Sequence, residues 1–397
     1  MVKTPSLLVS VIAVVGVVAA GCTDEVSGSA TAVDVPVTTT QAPPTEGGGA
    51  VCRARIGFLG ALSGQFAAVA MPALNGAKLA VEKFRKRKPD CAVDLVMLDT
   101  QGDAAKAVPM ATRIVPDRDV VGVIGGAFSG ESKAIMPILA SSGVPMISPS
   151  ATATELTASG RVPVFHRVLA SDEAQAAAAG RYLKDVARAA KVFVVNDSGQ
   201  YGTALADKVK SVVGPALVGT DTVQQGQRGF PGTIAKITAT APDAVFFAGI
   251  YTEAGPLLRE LRAASSTAKF VAGDGVYDAQ FATLAGPAAQ GAVITCSCAP
   301  AERTKGVFAD EYLSRYGTPA GMFAAEGFDA ATVFLDAIES GRRNREDVLR
   351  FVKTYDKPGV ARHLKFDGDG DLDPSVTTVW TYLVTAGRFV PDQEVRP

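Results

Sequence analysis

The sequence predicts an α/β fold of two doubly wound, parallel-sheet lobes joined by a hinge, and three features carry that prediction. Apolar β-rich runs alternate with amphipathic helical stretches, the alternation occurs twice, and the body that holds it is too long for one core. Of 397 residues, roughly 345 follow Cys52, and single cores rarely grow beyond ~250–300 residues before a chain divides.

The first series has strand-like runs at 55–62, 93–98, 120–124 and 145–147, and the second at 191–195, 244–247, 270–272 and 292–295. Helical patterns lie between them. In 72–88 the apolar positions Leu74, Ala77, Val81 and Phe84 form one stripe with Lys and Arg opposite, the signature of a half-buried helix. The stretches 201–213, 230–240, 253–264 and 323–340 read the same way. Such alternation implies parallel sheets covered by helices on both faces. The boundaries read as 52–170 plus 300–375 for the first lobe, and 171–299 plus 376–397 for the second. Two such units bind ligand off the C-terminal ends of their strands, so the expected site is the cleft between them.

Ahead of this body, Lys3 precedes an apolar run over 7–18 and then Ala19-Ala20-Gly21-Cys22. A charged start, a short apolar stretch and small residues before a cut site make a secretory signal over 1–21. The run is too short to span a bilayer, which takes ~20 residues. A Cys directly after small residues resembles the lipobox of bacterial lipoproteins, which implies lipidation of Cys22 and a tether to the outer face of a membrane. Ala19 departs mildly from that pattern. Residues 22–51 are rich in Thr, Ala, Pro and Gly and lack periodicity, as expected of a flexible linker.

Lys+Arg 39 against Asp+Glu 40 gives a net charge of −1, so no global field points to nucleic acid. The basic run Arg85-Lys86-Arg87-Lys88 ends a predicted helix, where cations favour the negative dipole end. Five cysteines suit export. Cys52 and Cys91 precede neighbouring predicted strands at the same sheet end, so a disulfide between them is expected in an oxidising compartment. Cys296 and Cys298 would share one face of a strand; a local disulfide and two free thiols both remain open.

Four strand ends carry candidate chemistry. Strand 120–124 runs into Gly125-Gly126-Ala127-Phe128-Ser129-Gly130-Glu131, with a helix beginning near Glu131. A Gly-rich turn opening a helix presents amides and a positive dipole end to an anion. The next strand ends in Ser148-Pro149-Ser150-Ala151-Thr152-Ala153-Thr154, putting hydroxyls on the same edge. Thr154 suits a helix cap, which leaves Ser150 and Thr152 unexplained. In the second unit, one strand ends in Asn196-Asp197-Ser198-Gly199-Gln200-Tyr201-Gly202, and another in Gly273-Asp274-Gly275. A carboxylate between two glycines at a strand end is placed to meet a cation, although Asp-Gly is also ordinary turn chemistry.

In order and spacing these elements resemble the branched-chain amino acid (Leu/Ile/Val) binding proteins, solute receptors of ABC importers with the type I periplasmic-binding fold. The resemblance rests on Ile56-Gly57-Phe58-Leu59-Gly60-Ala61-Leu62-Ser63-Gly64, the Val144 to Thr152 run, Gln200-Tyr201-Gly202, Gly275-Val276 and the Leu364 to Asp371 run. It implies that Ser129, Ser150 and Thr152, with the Ala151 backbone, hold a ligand α-carboxylate. It further implies that Asp274, beside Gly275, meets the α-ammonium, that Tyr201 forms an aromatic wall, and that Phe323 makes an apolar contact. Departures rebuild the side-chain pocket: Val69 and Ile250 stand where family members have aromatics, with Tyr251 beside Ile250. Phe128 replaces a smaller residue, and Asp274 is a methylene shorter than the usual Glu. The implied partners are a small-molecule ligand of the amino-acid class, an ABC permease, and a membrane through the lipid anchor, with no nucleic acid. A sensor of the same fold, and a receptor for an amide or urea, remain alternative readings.

No cofactor or metal is expected. The Asp367, Asp369, Asp371, Asp373 series would need Gly and Glu at later positions to form a calcium loop, but Leu372 and Thr378 stand there, so a hairpin turn is expected. The chain has no G-x-S-x-G elbow, H-E-x-x-H or P-loop. His166 and His363 have no evident nucleophile partner, so no enzyme activity is expected.

Overall fold

The computed structural model describes residues 52–158 and 162–396. The signal, Cys22 and the linker lie outside the described residues. The first sheet has five parallel strands, β1 (Cys52–Gly60), β2 (Cys91–Asp99), β3 (Val120–Ile124), β4 (Met146–Ser148) and β5 (Phe165–Arg167), in the order β2-β1-β3-β4-β5. β3 is buried along its whole length, as a parallel strand covered on both faces must be. The second sheet holds β6 (Val192–Asn196), β7 (Leu217–Thr222), β8 (Ala244–Ala248), β9 (Lys269–Ala272) and β10 (Val293–Cys296).

Two more strands correct the all-parallel expectation. After a small ladder of β11 (Asp356–Pro358) and β12 (His363–Lys365), the chain adds β13 (Val379–Thr385) antiparallel to β10 and then β14 (Arg388–Val395) antiparallel to β13, giving the order β14-β13-β10-β9-β8-β6-β7. The two-residue turn Ala386-Gly387 has positive φ at both positions, the geometry that lets a tight hairpin follow the strand twist. Ala is an uncommon residue there, so the turn is faint in the sequence. β5 and β7 were also unmarked: β5 is three residues long, and β7 is a half-exposed edge strand.

The chain therefore passes between the sheets three times, after β5, after β10 and before β13. Helix Ala324–Glu339 packs along helix Ala67–Arg87 beside the first sheet. Their axes approach closely through Gly76 and Gly327. A Cβ on Gly76 would stand 1.9 Å from the Ala324 carbonyl oxygen, and one on Gly327 2.1 Å from that of Ala73.

Cys52 and Cys91 are direct register partners on β1 and β2 and form a disulfide. Their sequence separation of 39 means that the bond removes substantial loop entropy from the unfolded chain. Replacing both by Ala is expected to lower stability by about 2–4 kcal/mol, read as a lower urea midpoint. Cys296 and Cys298 also form a disulfide. They do not share a strand, because β10 ends at Cys296.

The Asp-rich turn serves packing. Asp367 Oδ1 accepts the amides of Asp369, Gly370 and Asp371, and Asp371 Oδ1 accepts Arg167 Nε at 2.6 Å. Among the described residues no cluster of three acidic, His or Cys side chains is arranged to hold a metal.

Candidate functional site

A cavity of about 220 Å³ lies between the C-terminal edges of the two sheets. The first sheet supplies Phe128, Ser129, Ser150 and Thr152, and the second supplies Tyr201, Ile250, Asp274 and Gly275, with Phe323 from the helix-pair side. Of the residues that the resemblance gives a ligand contact, Ala151 alone is absent from the wall. It is fully buried, and its amide donates to Ser148 Oγ at 2.9 Å.

The first-lobe edge is an array of donors. The helix begins at Ser129, two residues before the expected start, because Glu131 reaches back to accept the Phe128 amide at 2.9 Å. Its first-turn amides have no partners within the helix, and Ser129 and Gly130 line the cavity. Ser129 Oγ accepts the Ala153 amide at 3.2 Å, leaving its own hydrogen to donate. Ser150 differs from expectation: its hydroxyl donates to the Ala127 carbonyl at 2.7 Å, so that hydrogen is committed. Arg167, fully buried on β5, donates to the carbonyls of Ala151 and Ala153 at 3.2 and 2.9 Å. It thereby fixes the backbone on both sides of Thr152.

The second-lobe edge is an array of acceptors. Tyr201 Oη donates to Asp274 Oδ1 at 2.7 Å, and the Gly275 amide donates to Tyr201 Oη at 3.3 Å. Neither flanking glycine is there for positive φ. A Cβ on Gly273 would meet the Tyr201 hydroxyl at 2.4 Å, and one on Gly275 would meet the Gly249 carbonyl at 2.4 Å. The glycines let the tyrosine lie against the turn. Asp274 Oδ2 has no hydrogen-bond partner. Burial pushes this carboxyl up to about 6, opposed by the Tyr201 hydroxyl and neighbouring donors.

Behind it sits a residue that sequence reasoning missed. Asp172 is fully buried at the first crossing, its amide donates to the Thr152 carbonyl at 2.7 Å, and neither carboxylate oxygen makes a hydrogen bond of good geometry. Burial pushes it to about 7; the nearby Thr152 hydroxyl opposes this and the Asp274 charge adds to it. In the sequence Asp172 follows Ser171 at a helix start, where an acid is ordinary, so nothing marked it.

The remaining wall is mainly apolar. Phe66, Val69, Phe128, Ile250, Met322 and Phe323 contribute to it, and the rings of Phe66 and Phe128 meet edge to face at 5.6 Å. Phe66 and Met322 carried no sequence signal beyond hydrophobicity. Phe323 has φ +62, a left-handed conformation that costs a non-glycine residue about 1–2 kcal/mol and is concentrated at ligand-binding sites. Asp197, Gln200 and Gln225 complete a polar corner, where Asp197 accepts the Gly199 amide and the Gln225 side chain. Tyr251 is turned away from this cavity, and its hydroxyl donates to the Gln65 carbonyl of the first lobe at 3.2 Å. Gln200 donates to Glu155 at 2.9 Å, giving a second hydrogen bond between the lobes.

Known proteins share this architecture. A leucine-, isoleucine-, valine-, threonine- and alanine-binding protein of Pseudomonas aeruginosa is 29% identical over 343 residues, covering 84% of this chain and 91% of that protein. A Leu/Ile/Val-binding protein, BraC3, of Rhizobium johnstonii is 30% identical over 343 residues, covering 84% and 92%. The solved branched-chain amino acid transporter substrate binding protein LivJ of Streptococcus pneumoniae, in complex with isoleucine, superposes with a TM-score of 0.80. It is 25% identical, covering 87% of this chain and all of that one. The family model for periplasmic binding proteins matches residues 53–374, and with the two-sheet fold and interlobe cavity just described, the chain belongs to the periplasmic binding protein family.

Proposed function

We propose that this protein captures an amino acid of about the size of leucine or isoleucine between its lobes and delivers it to an ABC importer. One observation carries the reading: the cavity has hydrogen-bond donors on one edge and an unpartnered buried carboxylate oxygen of Asp274 on the other. A zwitterion satisfies both ends, whereas an uncharged amide or urea leaves that acid without a cation. Size agrees. A cavity of roughly 150 Å³ holds benzene, so about 220 Å³ suits a ligand of about nine non-hydrogen atoms. The relatives named above bind branched-chain amino acids, which supports the same class here. In this reading 1–21 is a removed signal, Cys22 carries the lipid, and the linker holds the body off the membrane.

Closure brings Tyr201 and Asp274 onto a ligand already docked at Ser129 and Thr152, with motion at the three crossings. The test is thermal melting of the full chain with L-leucine, L-isoleucine, 4-methylpentanoate, acetamide and urea. At 100 times Kd a ligand adds ~2.7 kcal/mol of stability, and the midpoint should rise for the amino acids only. An equal rise with urea or with 4-methylpentanoate would overturn the ammonium reading.

pH acts with opposite signs on binding and on the free protein. The ammonium requires ionised Asp274, whose carboxyl is pushed up to about 6, so affinity should fall as pH drops through that value. Leucine binding at pH 5 is expected to be about tenfold weaker than at pH 7.5. For the free protein, a raised carboxyl pKa contributes stability that is fully present below the ordinary value. That contribution is lost as pH rises through about 6. Calorimetric titration and urea melts across this range check both signs.

A further inference from the structure

We infer that the Cys296–Cys298 disulfide is a positioning brace for the Asp274 turn, so that ligand affinity depends on this bond being closed. Both cysteines are fully buried at the second crossing between the lobes. The bond closes a ring over Ser297 alone, spanning a sequence separation of 2. So short a loop removes far less unfolded-chain entropy than the Cys52–Cys91 bond, which argues for a local role.

Two routes lead from the ring to the site. The Ser297 amide lies near Asp274 and favours its charged form without a hydrogen bond of good geometry. On the other side, Tyr382 Oη donates to the Cys298 carbonyl at 3.3 Å, the Tyr382 ring packs on Tyr277 at 4.4 Å, and the Tyr277 amide donates to the Asp274 carbonyl at 2.8 Å. The ring is also tied to the first lobe. The Ser297 carbonyl accepts Arg362 Nη2 at 2.6 Å, and the Ala299 amide donates to Glu326 Oε1 at 2.8 Å. The same three-residue segment thus holds the acceptor turn of one lobe and the first contacts of the other. Opening the bond frees the Ser297 backbone at the point where both sets of contacts meet.

The experiment compares the unaltered full chain with a Cys296→Ala/Cys298→Ala variant and a Cys52→Ala/Cys91→Ala variant. Amide hydrogen exchange without ligand is the primary readout. Exchange of the 273–277 turn should accelerate tenfold or more in the Cys296/Cys298 variant while β1–β5 stay unchanged, and L-leucine should bind at least tenfold more weakly. The Cys52/Cys91 variant should melt lower with an unaltered turn. Unchanged exchange at 273–277, or equal acceleration throughout both sheets, would overturn the proposal.

If the Cys296/Cys298 variant does not fold, dithiothreitol treatment of the Cys52/Cys91 variant gives the same comparison. Two electrons and two protons pass from the dithiol, which closes to its cyclic disulfide, to the Cys296–Cys298 bond, which opens to two thiols. The affinity arm alone rests on the amino-acid reading, and Asp274→Asn separates the two. If that variant binds leucine normally, the ammonium reading fails while the exchange data still judge the brace.

Discussion

Asp274→Ala is expected to weaken leucine binding by between tenfold and about a hundredfold, the loss of one charge-assisted hydrogen bond of ~1.5–3 kcal/mol. The residue is almost wholly buried, with one oxygen committed to Tyr201 and the other unpartnered, which leaves one acceptor open toward the cavity for the proposed ammonium. Truncation also releases the Tyr201 hydroxyl, which then has no acceptor at the turn. Asp274→Asn keeps the shape and the tyrosine contact but removes the charge, and should lose nearly as much. Both variants should fold, because relieving a buried acid of its charge costs the free protein little. Calorimetry on the purified variants reads the effect, and an unchanged Kd in both would remove Asp274 from the site.

Gly76→Ala is the second large effect. In an exposed helix this change stabilises by about 1 kcal/mol. Here it should destabilise by about 3 kcal/mol or more, because the new methyl would stand 1.9 Å from a backbone oxygen of the facing helix. Overpacking of this kind typically costs ~1–3 kcal/mol, and a carbonyl in a regular helix has less room to yield than a side chain. Gly327→Ala should behave alike, since its Cβ meets the Ala73 backbone. The reversal of sign is diagnostic: a urea midpoint that stays level or rises would show that the helices are not locked together there. Phe323 immediately precedes the second of these helices, so a variant that folds should also bind less well.

The parts of this architecture legible in the sequence were those with a strong local period. Buried strands such as Val120–Ile124 are unbroken apolar runs, and helix Ala67–Arg87 carries a clear stripe. β13 and β14 were missed because an antiparallel edge hairpin turning on Ala-Gly has no strong marker. At the site, strand-end loops marked the segments that hold Ser129, Thr152, Tyr201 and Asp274, since such edges face the cleft in any doubly wound lobe, while the family resemblance pointed to the individual residues; the structure brings all four to one cavity. Asp172 and Arg167 escaped for a different reason. Their importance comes from burial without a partner in one case, and from four hydrogen bonds to distant backbone and side chains in the other. Neither property leaves a trace in local spacing. The donor state of Ser150 is similarly invisible, because it turns on which carbonyl its hydroxyl reaches.

The placement of β13 and β14 bears on how the chain matures. β13 covers the flank of β10 and β14 covers β13, yet both leave the ribosome after every other strand among the described residues has been made. Until then β10 presents an unpaired backbone, and neither half of the molecule corresponds to a continuous stretch of gene. A nascent polypeptide of this design cannot complete its second sheet before Val395 has been made. For the same reason, a stop codon before Val379 would strip two of seven strands from one sheet rather than merely trim a tail.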